Sequence, residues 1–362
     1  MVRASLRSGY TTGACATAAA KGAAEMLRDG QVIDRVEIIL PGGELVPFTL
    51  RNQRLGDKFA SCSVIKDAGD DPDITNGAEI NVSIAMEPAP AGSKGEVVIC
   101  GGAGVGKVTK PGLAVPVGEW AINPVPRRMI RLVINEIFAI RCVPSLLRVT
   151  VSIPNGEELA KKTLNARLGI VGGLSILGTT GIVKPISAKA WTDTIDAAIG
   201  VALACGSETV VLSTGRTSEL VAEQHLQLGK RLQEEAFVMM GDHAGYALKS
   251  CAAKEIREIV IAGQFAKLLK LACGHEQTHV SSSELDLQQL ASWLEGNQRT
   301  AFLAQPARRA NTARQVLEES GNDAALIAAV CERVGAFAAR LAPGSTIKVL
   351  LAGYGQEVLY FS

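Results

Sequence analysis

The segment VVLSTGRTSE, at residues 210–219, has the pattern of a short buried strand, a glycine turn and the start of a helix. Further apolar runs of the same kind follow along the chain, separated by helical stretches of ten or more residues. The strands predicted in this way are residues 209–212, 236–239, 256–262 and 346–351. Such alternation is typical of a parallel sheet, so we predict a Rossmann-like α/β domain with a mostly parallel sheet at residues 187–362.

The preceding half of the chain is rich in β-branched residues, glycine and proline, arranged in short alternating runs. An alanine-rich stretch predicts a helix at residues 14–28, and a second helix is predicted at residues 128–140. The alternating runs predict strands at residues 35–40, 44–50, 62–65, 79–85, 96–99 and 148–153. This pattern indicates an N-terminal α+β domain with a mixed sheet at residues 1–160. The glycine-rich residues 161–186 are expected to connect the two domains.

Composition limits the classes of function that the chain can serve. Of its 362 residues, 47% are hydrophobic and 20% are charged, which fits an ordinary globular protein. The net charge of +1 and the aromatic content of 4% argue against nucleic-acid binding. No signal-peptide pattern is visible, and no apolar run approaches the roughly 20 residues of a membrane span. Eight scattered cysteines without a CxxC pair argue against a protein-bound metal and for a reducing, cytoplasmic location.

Glycine-containing loops follow three of the predicted strands in the second half. Their candidate binding residues are Gly215, Arg216 and Thr217 in the first loop, Gly241 and Asp242 in the second, and Gly263 and Lys267 in the third. In an open α/β sheet, ligands bind outside the carboxyl ends of the strands. One such loop is usually structural, but three in register predict a ligand-binding crevice.

The string CGGAGVGK, at residues 100–107, nearly matches a nucleotide-binding P-loop. A P-loop needs Ser or Thr directly after its lysine to hold the metal ion, and this chain has Val108 there. It also needs a following helix, which Pro111 does not allow. The string is therefore a weak indication of a nucleotide site, and a glycine loop that approaches some other ligand stays open.

Charged and titratable residues mark further candidate sites. Arg127 and Arg131 lie one turn apart near a predicted helix start, where they oppose the helix dipole unless an anionic ligand binds them. A solvated basic face is the alternative of about equal weight. The sequence DAGDDPD, at residues 67–73, has the composition of a turn, although one carboxylate, such as Asp67, can be functional. His279 lies in a predicted loop, where a titrating group is more often functional than on a packed face.

Several longer strings occur in a defined order. They are SGYTTGACA (8–16), VIKDAGDDPD (64–73), GVGKVTKPGL (104–113), VPVGE (115–119), NPVPR (123–127), GTTGIVKP (178–185), STGRTSE (213–219) and the pair Thr278-His279. Taken in this order, they resemble the CbiD family, the cobalt-precorrin-5B C1-methyltransferases of anaerobic cobalamin synthesis. The string GQFAK (263–267) is similar to the family's Gly-His-x-Gly-Lys loop, with a His and a Gly replaced. Residues after about 285 match only in helical character.

The resemblance implies an enzyme that transfers a methyl group from S-adenosylmethionine to C1 of cobalt-precorrin-5B, giving cobalt-precorrin-6A. It implies tetrapyrrole binding by residues 1–160 and S-adenosylmethionine binding by residues 187–362, in a fold unlike the common class I methyltransferases. The cobalt belongs to the substrate. Side chains expected to hold the substrate's acetate and propionate groups are Lys107, Lys110, Arg127, Arg128, Arg131, Thr11 and Thr12. His279 and Asp67 are the candidate general bases, and the three strand-end loops are the candidate donor site.

Two other classes of function stay open at this point. A Mg-nucleotide-dependent phosphotransferase would use residues 101–107 and 67–73, and it would bind Mg-ATP tightly. A non-catalytic corrinoid-binding protein would bind the tetrapyrrole and show no affinity for S-adenosylmethionine. A homo-oligomer and transient contact with other enzymes of the cobalamin pathway are also left open as partners.

Overall fold

The computed structural model describes residues 6–88, 96–138, 145–230 and 232–362. The chain divides into two compact units, residues 1–187 and residues 188–362. Within the described ranges, no helix has both the length and the apolar character that a membrane span requires.

The first unit contains three helices and a set of mostly short strands among its described residues. The helices are α1 (Thr12–Asp29), α2 (Pro124–Phe138) and α3 (Gly156–Ala160). The strands are β1 (Gly9–Tyr10), β2 (Arg35–Ile39), β3 (Leu45–Thr49), β4 (Arg51–Gly56), β5 (Phe59–Ile65), β6 (Glu79–Pro88), β7 (Glu96–Gly101), β8 (Gly104–Val105), β9 (Lys107–Val108), β10 (Ser145–Ser152), β11 (Ile170–Val171), β12 (Gly173–Leu174) and β13 (Ile182–Val183).

The main sheet of this unit has the strand order β4-β5-β6-β10-β7. Strand β10 pairs antiparallel with β6 and parallel with β7, so the mixed sheet predicted from the sequence is present. Helix α1 packs on this sheet, and its alanines are fully buried because small side chains allow close approach. The hydroxyl of Thr11 accepts a hydrogen bond from the Ala14 N–H at 3.2 Å and caps the start of the helix. Gly30 ends the helix in the left-handed conformation, with φ of 66°.

Two elements of the first unit differ from the sequence-based expectation. Helix α2 begins at Pro124 rather than at residue 128, because proline is tolerated in a first turn whose N–H groups need no intrahelical partner. The last two residues of the helix predicted at 128–140 lie outside the described residues. Strand β4 was not predicted, because its polar sequence RNQRLG forms an exposed sheet edge without apolar alternation.

The glycine-rich residues 161–186, expected to connect two domains, belong instead to the first unit. Their strands pair with earlier ones: β11 with β9, β12 with β8, and β13 with β1. The physical reason is that glycine lets one backbone approach another directly. A Cβ on Gly173 would lie 2.2 Å from the carbonyl oxygen of Gly104, which no other residue type allows.

The second unit alternates helices and strands. Its helices are α4 (Ala188–Ala204), α5 (Arg216–Lys230), α6 (Ala244–Ala253), α7 (Phe265–Ala272), α8 (Leu287–Glu295), α9 (Ala304–Arg309), α10 (Ala313–Glu319) and α11 (Ala324–Leu341). Its strands are β14 (Thr209–Ser213), β15 (Phe237–Met239), β16 (Glu258–Gln264), β17 (Thr346–Ala352) and β18 (Val358–Phe361).

The sheet of the second unit has the order β15-β14-β16-β17-β18. The pairs β14/β15, β14/β16 and β16/β17 are parallel, as predicted, whereas β18 adds an antiparallel edge that was not predicted. Apolar side chains cover both faces: Val210 and Leu212 pack in one core cluster, and Val211 packs in another. Burial on both faces explains why these strands are continuous apolar runs in the sequence.

Candidate active site

The chain reverses its direction of travel across the second sheet between β14 and β16. After β14 it crosses by α5 to β15 on one side, and it then returns by α6 to β16 on the other side of β14. Such a topological switch point leaves a crevice outside the carboxyl ends of the two strands, where open α/β sheets bind ligands. We call the loops Ser213–Arg216, Met240–His243 and Gly263–Lys267 the strand-end site. The structure thus places the predicted residues Gly215, Arg216, Thr217, Gly241, Asp242, Gly263 and Lys267 at this one edge of the sheet.

The first loop of the strand-end site contains an unsatisfied polar group and open space. The hydroxyl of Ser213 is buried at the end of β14 and has no hydrogen-bond partner among the described residues. A Cβ placed on Gly215 would meet no atom within 4 Å. A buried hydroxyl without a partner costs about 1–3 kcal/mol, so this loop has the features of a ligand-binding loop.

Charges at the start of α5 are arranged around a buried carboxylate. Arg216 Nη1 lies 2.5 Å from Glu219 Oε2, and Glu219 is fully buried whereas the Arg216 side chain is 59% exposed. The hydroxyl of Ser218 donates to the Gly215 carbonyl oxygen at 2.9 Å. Arg216 therefore neutralises Glu219 and fixes the first turn of the helix, and its exposed side borders the site.

Asp242 is the centre of the second loop. Its Oδ1 accepts a short hydrogen bond from Lys267 Nζ and another from the Thr278 hydroxyl at 2.6 Å. The Thr278 N–H donates to the Asp242 carbonyl oxygen at 3.1 Å. Burial opposes the ionisation of Asp242, but the bonds from Lys267 and Thr278 outweigh it and lower the pKa of this carboxyl. Asp242 is thus an ionised anchor that joins the loop after β15 to α7.

The same anchor positions His279. Lys267 and Lys270 both donate to the Thr278 carbonyl oxygen, at 3.3 and 3.0 Å, and Lys270 also donates to Ser283 at 2.9 Å. The chain on both sides of His279 is therefore held by ammonium groups from α7. His279 itself is exposed, and its contact with a ligand stays a prediction.

Hydrogen bonds fix the proton of the His279 ring. The Ser281 N–H donates to Nδ1 at 3.2 Å, and the Ser281 hydroxyl lies 2.7 Å from the same nitrogen. A backbone N–H can only donate, so Nδ1 is the unprotonated nitrogen and Nε2 of the neutral ring carries the hydrogen. Nε2 is therefore a hydrogen-bond donor, and direct proton removal by this atom, as expected for a general base, does not fit the geometry.

Basic side chains of the first unit meet around the start of α2. The Lys107 ammonium lies 4.6 Å from the ring centroid of Trp120, a cation–π distance. Arg127 donates to the carbonyl oxygens of Trp120 at 3.1 Å and of Ile122 at 2.8 Å. Arg127 also lines a groove of about 240 Å³ together with residues 114–116, Glu119, Ile122 and Pro124. Much of the hydrogen-bonding capacity of Arg127 is thus used to hold the loop before α2.

The other predicted substrate-binding residues fall into two groups. Arg128 and Arg131 are exposed on α2, and neither has a hydrogen bond or an ion pair within the described part of the chain. Lys110 donates to the Arg167 carbonyl oxygen at 3.3 Å. Thr11 and Thr12 are only 6% and 4% exposed, and the Thr12 hydroxyl accepts from the Leu177 N–H at 3.0 Å. The two threonines organise the backbone at the start of α1, and their contact with a substrate stays a prediction.

Close backbone packing explains the glycine string at residues 100–107. A Cβ on Gly104 would lie 1.9 Å from the carbonyl oxygen of Ile153. Strand β9 begins at Lys107, the last residue of the string, where a phosphate-binding loop needs the start of a helix. The glycines are required by contacts between strands, and the string lacks the geometry of a P-loop.

The aspartates of residues 67–73 hold the turn after β5 in place. Arg7 binds Asp67 through both terminal nitrogens, at 2.5 and 2.9 Å. The Arg7 hydrogen bond, followed by that from the Gly69 N–H, lowers the pKa of Asp67 to about 2. Asp71 accepts from the Ile186 N–H at 2.9 Å. A carboxylate of such low pKa is a weak proton acceptor, which argues against Asp67 as a general base.

Several residues at the strand-end site were not singled out from the sequence. Ser213 is marked only by being polar at the last position of an apolar strand, which is a weak signal. Trp191, in the first turn of α4, lies 50 positions before Gly241 in the sequence, and no pattern links the two. The described residues contain no group of three or more His, Cys, Asp or Glu side chains that could hold a metal ion.

Comparison with known proteins adds to this geometry. The family model described as CbiD matches residues 2–185, and the one described as CbiD, C-terminal domain, matches residues 277–362. A Geotalea daltonii protein named cobalt-precorrin-5B C(1)-methyltransferase is 85% identical, over 100% of both chains. A protein of the same name from Citrifermentans bemidjiense is 63% identical, over 99% of this chain and 98% of its own.

A crystal structure of a cobalamin biosynthesis protein (cbiD) from Archaeoglobus fulgidus is 30% identical, with a TM-score of 0.40, and it covers 75% of this chain and 81% of its own. Family models match both ends of the chain, and the relatives align along its whole length. The chain therefore belongs to the CbiD family.

Proposed function

We propose that this protein methylates C1 of cobalt-precorrin-5B, using S-adenosylmethionine as the methyl donor and giving cobalt-precorrin-6A. The observation that carries the proposal is the strand-end site, where a topological switch point coincides with the unsatisfied Ser213 hydroxyl and the open space at Gly215. The full-length relatives named for this reaction supply the substrate. We place the donor in the second unit and the tetrapyrrole on the first.

The first unit offers anionic groups of a tetrapyrrole a cationic surface. Arg128 and Arg131 have exposed guanidinium groups, which pair with carboxylates through two parallel hydrogen bonds. The groove beside Arg127, of about 240 Å³, is smaller than the roughly 300–1,000 Å³ of typical ligand pockets. It therefore fits a peripheral acetate or propionate group of the substrate, while the ring itself lies outside the groove.

When bound, the donor would supply a methyl carbon carried on a positively charged sulfur. Carbon C1 of the macrocycle would attack that methyl carbon as the carbon–sulfur bond breaks, S-adenosylhomocysteine would leave, and one proton of the macrocycle would pass to water. Reactions of this kind depend on positioning and on exclusion of water more than on covalent help from the protein. The strand-end site and the segment that follows α7 suit this work: Asp242, Lys267 and Thr278 fix the loops, and Nε2 of His279 is available to donate to an oxygen of a ligand bound there. A strong base is not part of this mechanism.

Two properties of the chain concern its fold type and the compartment in which the enzyme works. In the sheet of the second unit, β15 is the edge strand and β14 lies next to it, so the order differs from the dinucleotide-binding order 3-2-1-4-5-6. We therefore propose a fold that is distinct from the class I methyltransferases. The cysteines of the described residues are free thiols, which favours a reducing compartment and hence the cytoplasm.

Calorimetry with two ligands separates this function from a phosphotransferase. We expect S-adenosylhomocysteine, the stable product of the donor, to bind the full chain, and Mg-ATP not to bind. Tight Mg-ATP binding without affinity for S-adenosylhomocysteine would favour the phosphotransferase. Binding of a cobalt corrinoid alone would favour a non-catalytic carrier.

Arg131→Ala is expected to weaken binding of the cobalt-precorrin about tenfold. A tenfold loss corresponds to the lower end of the free-energy range for a hydrogen bond to a charged group. We take the lower end because the Arg131 side chain is solvent-exposed. Affinity for S-adenosylhomocysteine should not change. Arg35→Ala, at an exposed position of β2, is the matched control. Equal substrate affinity of the two variants would mean that the arginines of α2 form only a solvated face.

His279→Gln is expected to keep the single-turnover methylation rate within about tenfold of the wild-type rate. The amide nitrogen of glutamine lies where Nε2 of histidine lies and is also a donor, so the proposed contact is kept. Loss of a general base would instead lower the rate by roughly 10²–10⁴-fold. A fall of that size in the glutamine variant, with donor binding intact, would restore His279 as the base.

A further inference from the structure

An exposed indole stands beside the strand-end site. Trp191 lies in the first turn of α4 and is 47% exposed, although tryptophan is large and mostly apolar. Its ring stacks on the imidazole of His243, with the ring centroids 6.3 Å apart and the planes at 26°. This spacing is that of an offset aromatic stack. The indole is therefore held in a defined orientation while a large part of it faces solvent.

The stacked pair of Trp191 and His243 lies beside the loop that follows β15. A Cβ on Gly241 would lie 3.9 Å from Cζ3 of Trp191, so the indole borders the predicted donor loop. Nδ1 of His243 is hydrogen-bonded to Nε2 of Gln277 at 2.7 Å, which holds the imidazole in place. Strand β15 pairs with β14, so this loop and the loop at Gly215 follow neighbouring strands at the same edge.

We propose that Trp191, supported by His243, forms the subsite for the adenine base of the methyl donor; this inference rests on the proposed function. A flat aromatic base gains from stacking on an indole, whatever its hydrogen-bonding pattern. The open space at Gly215 then receives the rest of the donor, towards the switch point between β14 and β16.

The surroundings of the indole favour a small aromatic ligand over a protein partner. Lys189 and Asp193 form an ion pair on the same helix, at 2.7 Å, with their side chains 71% and 52% exposed. Tyr246 is also partly exposed, but its hydroxyl is engaged by a short hydrogen bond to Asp196. The centres of protein interfaces are depleted of charged residues, so an exposed ring that is surrounded by charged side chains fits a single stacked base.

Binding of S-adenosylhomocysteine to the full chain, followed by calorimetry, tests the subsite. We expect Trp191→Ala to weaken binding roughly 5- to 150-fold, the range for removal of one base–aromatic stack, and Trp191→Phe to recover most of the affinity because a ring is kept. Adenosine should compete for the site, and its competition should weaken in the alanine variant. Trp293→Phe, at a tryptophan that packs under the Arg333 guanidinium, is the matched control and should bind normally.

Two results would overturn the assignment of Trp191 to the adenine subsite, and a third would overturn the proposed location of the whole donor. Unchanged affinity in Trp191→Ala, together with lost affinity in Gly215→Leu, would leave the donor at the strand-end site but remove Trp191 from it. Weaker binding of the cobalt-precorrin alone would assign the indole to the tetrapyrrole. Unchanged donor affinity in both variants would overturn the proposed location of the donor itself. Melting curves show whether each variant is folded.

Discussion

Gly215→Leu is expected to weaken binding of S-adenosylhomocysteine by about 100-fold or more, which corresponds to about 3 kcal/mol. Gly215 directly precedes α5 at the switch point, and a side chain added there meets no protein atom within 4 Å. The leucine therefore extends into the space proposed for the donor without a clash that would unfold the protein. The cost to folding should be about 1 kcal/mol, as for replacing a residue that caps a helix.

Gly296→Leu is the matched control for this variant. Gly296 follows α8 in the same unit, and a Cβ there does not clash either, because its nearest atom is the Trp293 carbonyl oxygen at an ordinary contact distance of 3.6 Å. We expect this variant to bind S-adenosylhomocysteine normally in calorimetry. If Gly215→Leu bound the ligand as tightly as Gly296→Leu, the donor would not occupy the crevice between β14 and β16.

Asp73→Asn is expected to lower the free energy of unfolding by about 3–4 kcal/mol. Lys66 Nζ lies 2.6 Å from Asp73 Oδ2, and the lysine side chain is only 1% exposed. Removing the carboxylate charge leaves a buried ammonium without its counter-ion, and breaking a buried pair in this way typically costs 3–5 kcal/mol. We take the lower part of that range because the aspartate is 25% exposed. Urea unfolding of the full chain measures the change.

The double variant Lys66→Met with Asp73→Asn is the control. It removes the buried charge and keeps the amide oxygen that accepts from the Thr75 N–H and hydroxyl. Most of the lost stability should return, because an apolar side chain of similar size can replace a buried ion pair with little cost. If the single variant were as stable as the wild type, Asp73 would not be the counter-ion on which the burial of Lys66 depends.

The carboxylates of Asp73 and Asp67 also determine how the stability of the first unit changes at low pH. Burial opposes the ionisation of Asp73, but hydrogen bonds from Lys66 and Thr75 outweigh it, and its pKa is lowered. A carboxyl with a lowered pKa in the folded state stabilises the fold above its ordinary pKa of about 3.9, and the stabilisation is lost as the pH falls through the folded value. Asp67, with a pKa of about 2, acts in the same direction, although its exposed pair with Arg7 contributes little.

The sequence predicted well those strands whose residues are mostly buried, because burial alone determines their sequence pattern. Strands β14, β16 and β17 are buried on both faces, so their sequences are uninterrupted apolar runs with helices between them. Strand β4 is polar because it forms an exposed edge, and β18 is a short strand after a tight turn, so neither shows a pattern above that of a loop. The pairing of residues 161–186 with the first unit depends on contacts that are remote in sequence.

The part of the candidate site that could be predicted consists of residues in the loops that directly follow the predicted parallel strands. Gly215, Asp242 and Lys267 share the strand-end site because parallel strands end at one edge, which is a general rule for such sheets. The protonation of His279 was not predictable, because it depends on the backbone N–H of Ser281. The low pKa of Asp67 depends on Arg7, 60 residues earlier, and no spacing in the sequence reveals that pair.

Methyl transfer itself is the central claim, and one measurement tests it directly. The full chain is incubated with cobalt-precorrin-5B and S-adenosylmethionine that carries an isotopically labelled methyl carbon, and the products are analysed by mass spectrometry and NMR. We predict a tetrapyrrole heavier by one labelled CH₂ unit, with the label at C1 and one S-adenosylhomocysteine formed for each methyl transferred. A tetrapyrrole of unchanged mass, with the protein folded and both ligands bound, would contradict the account.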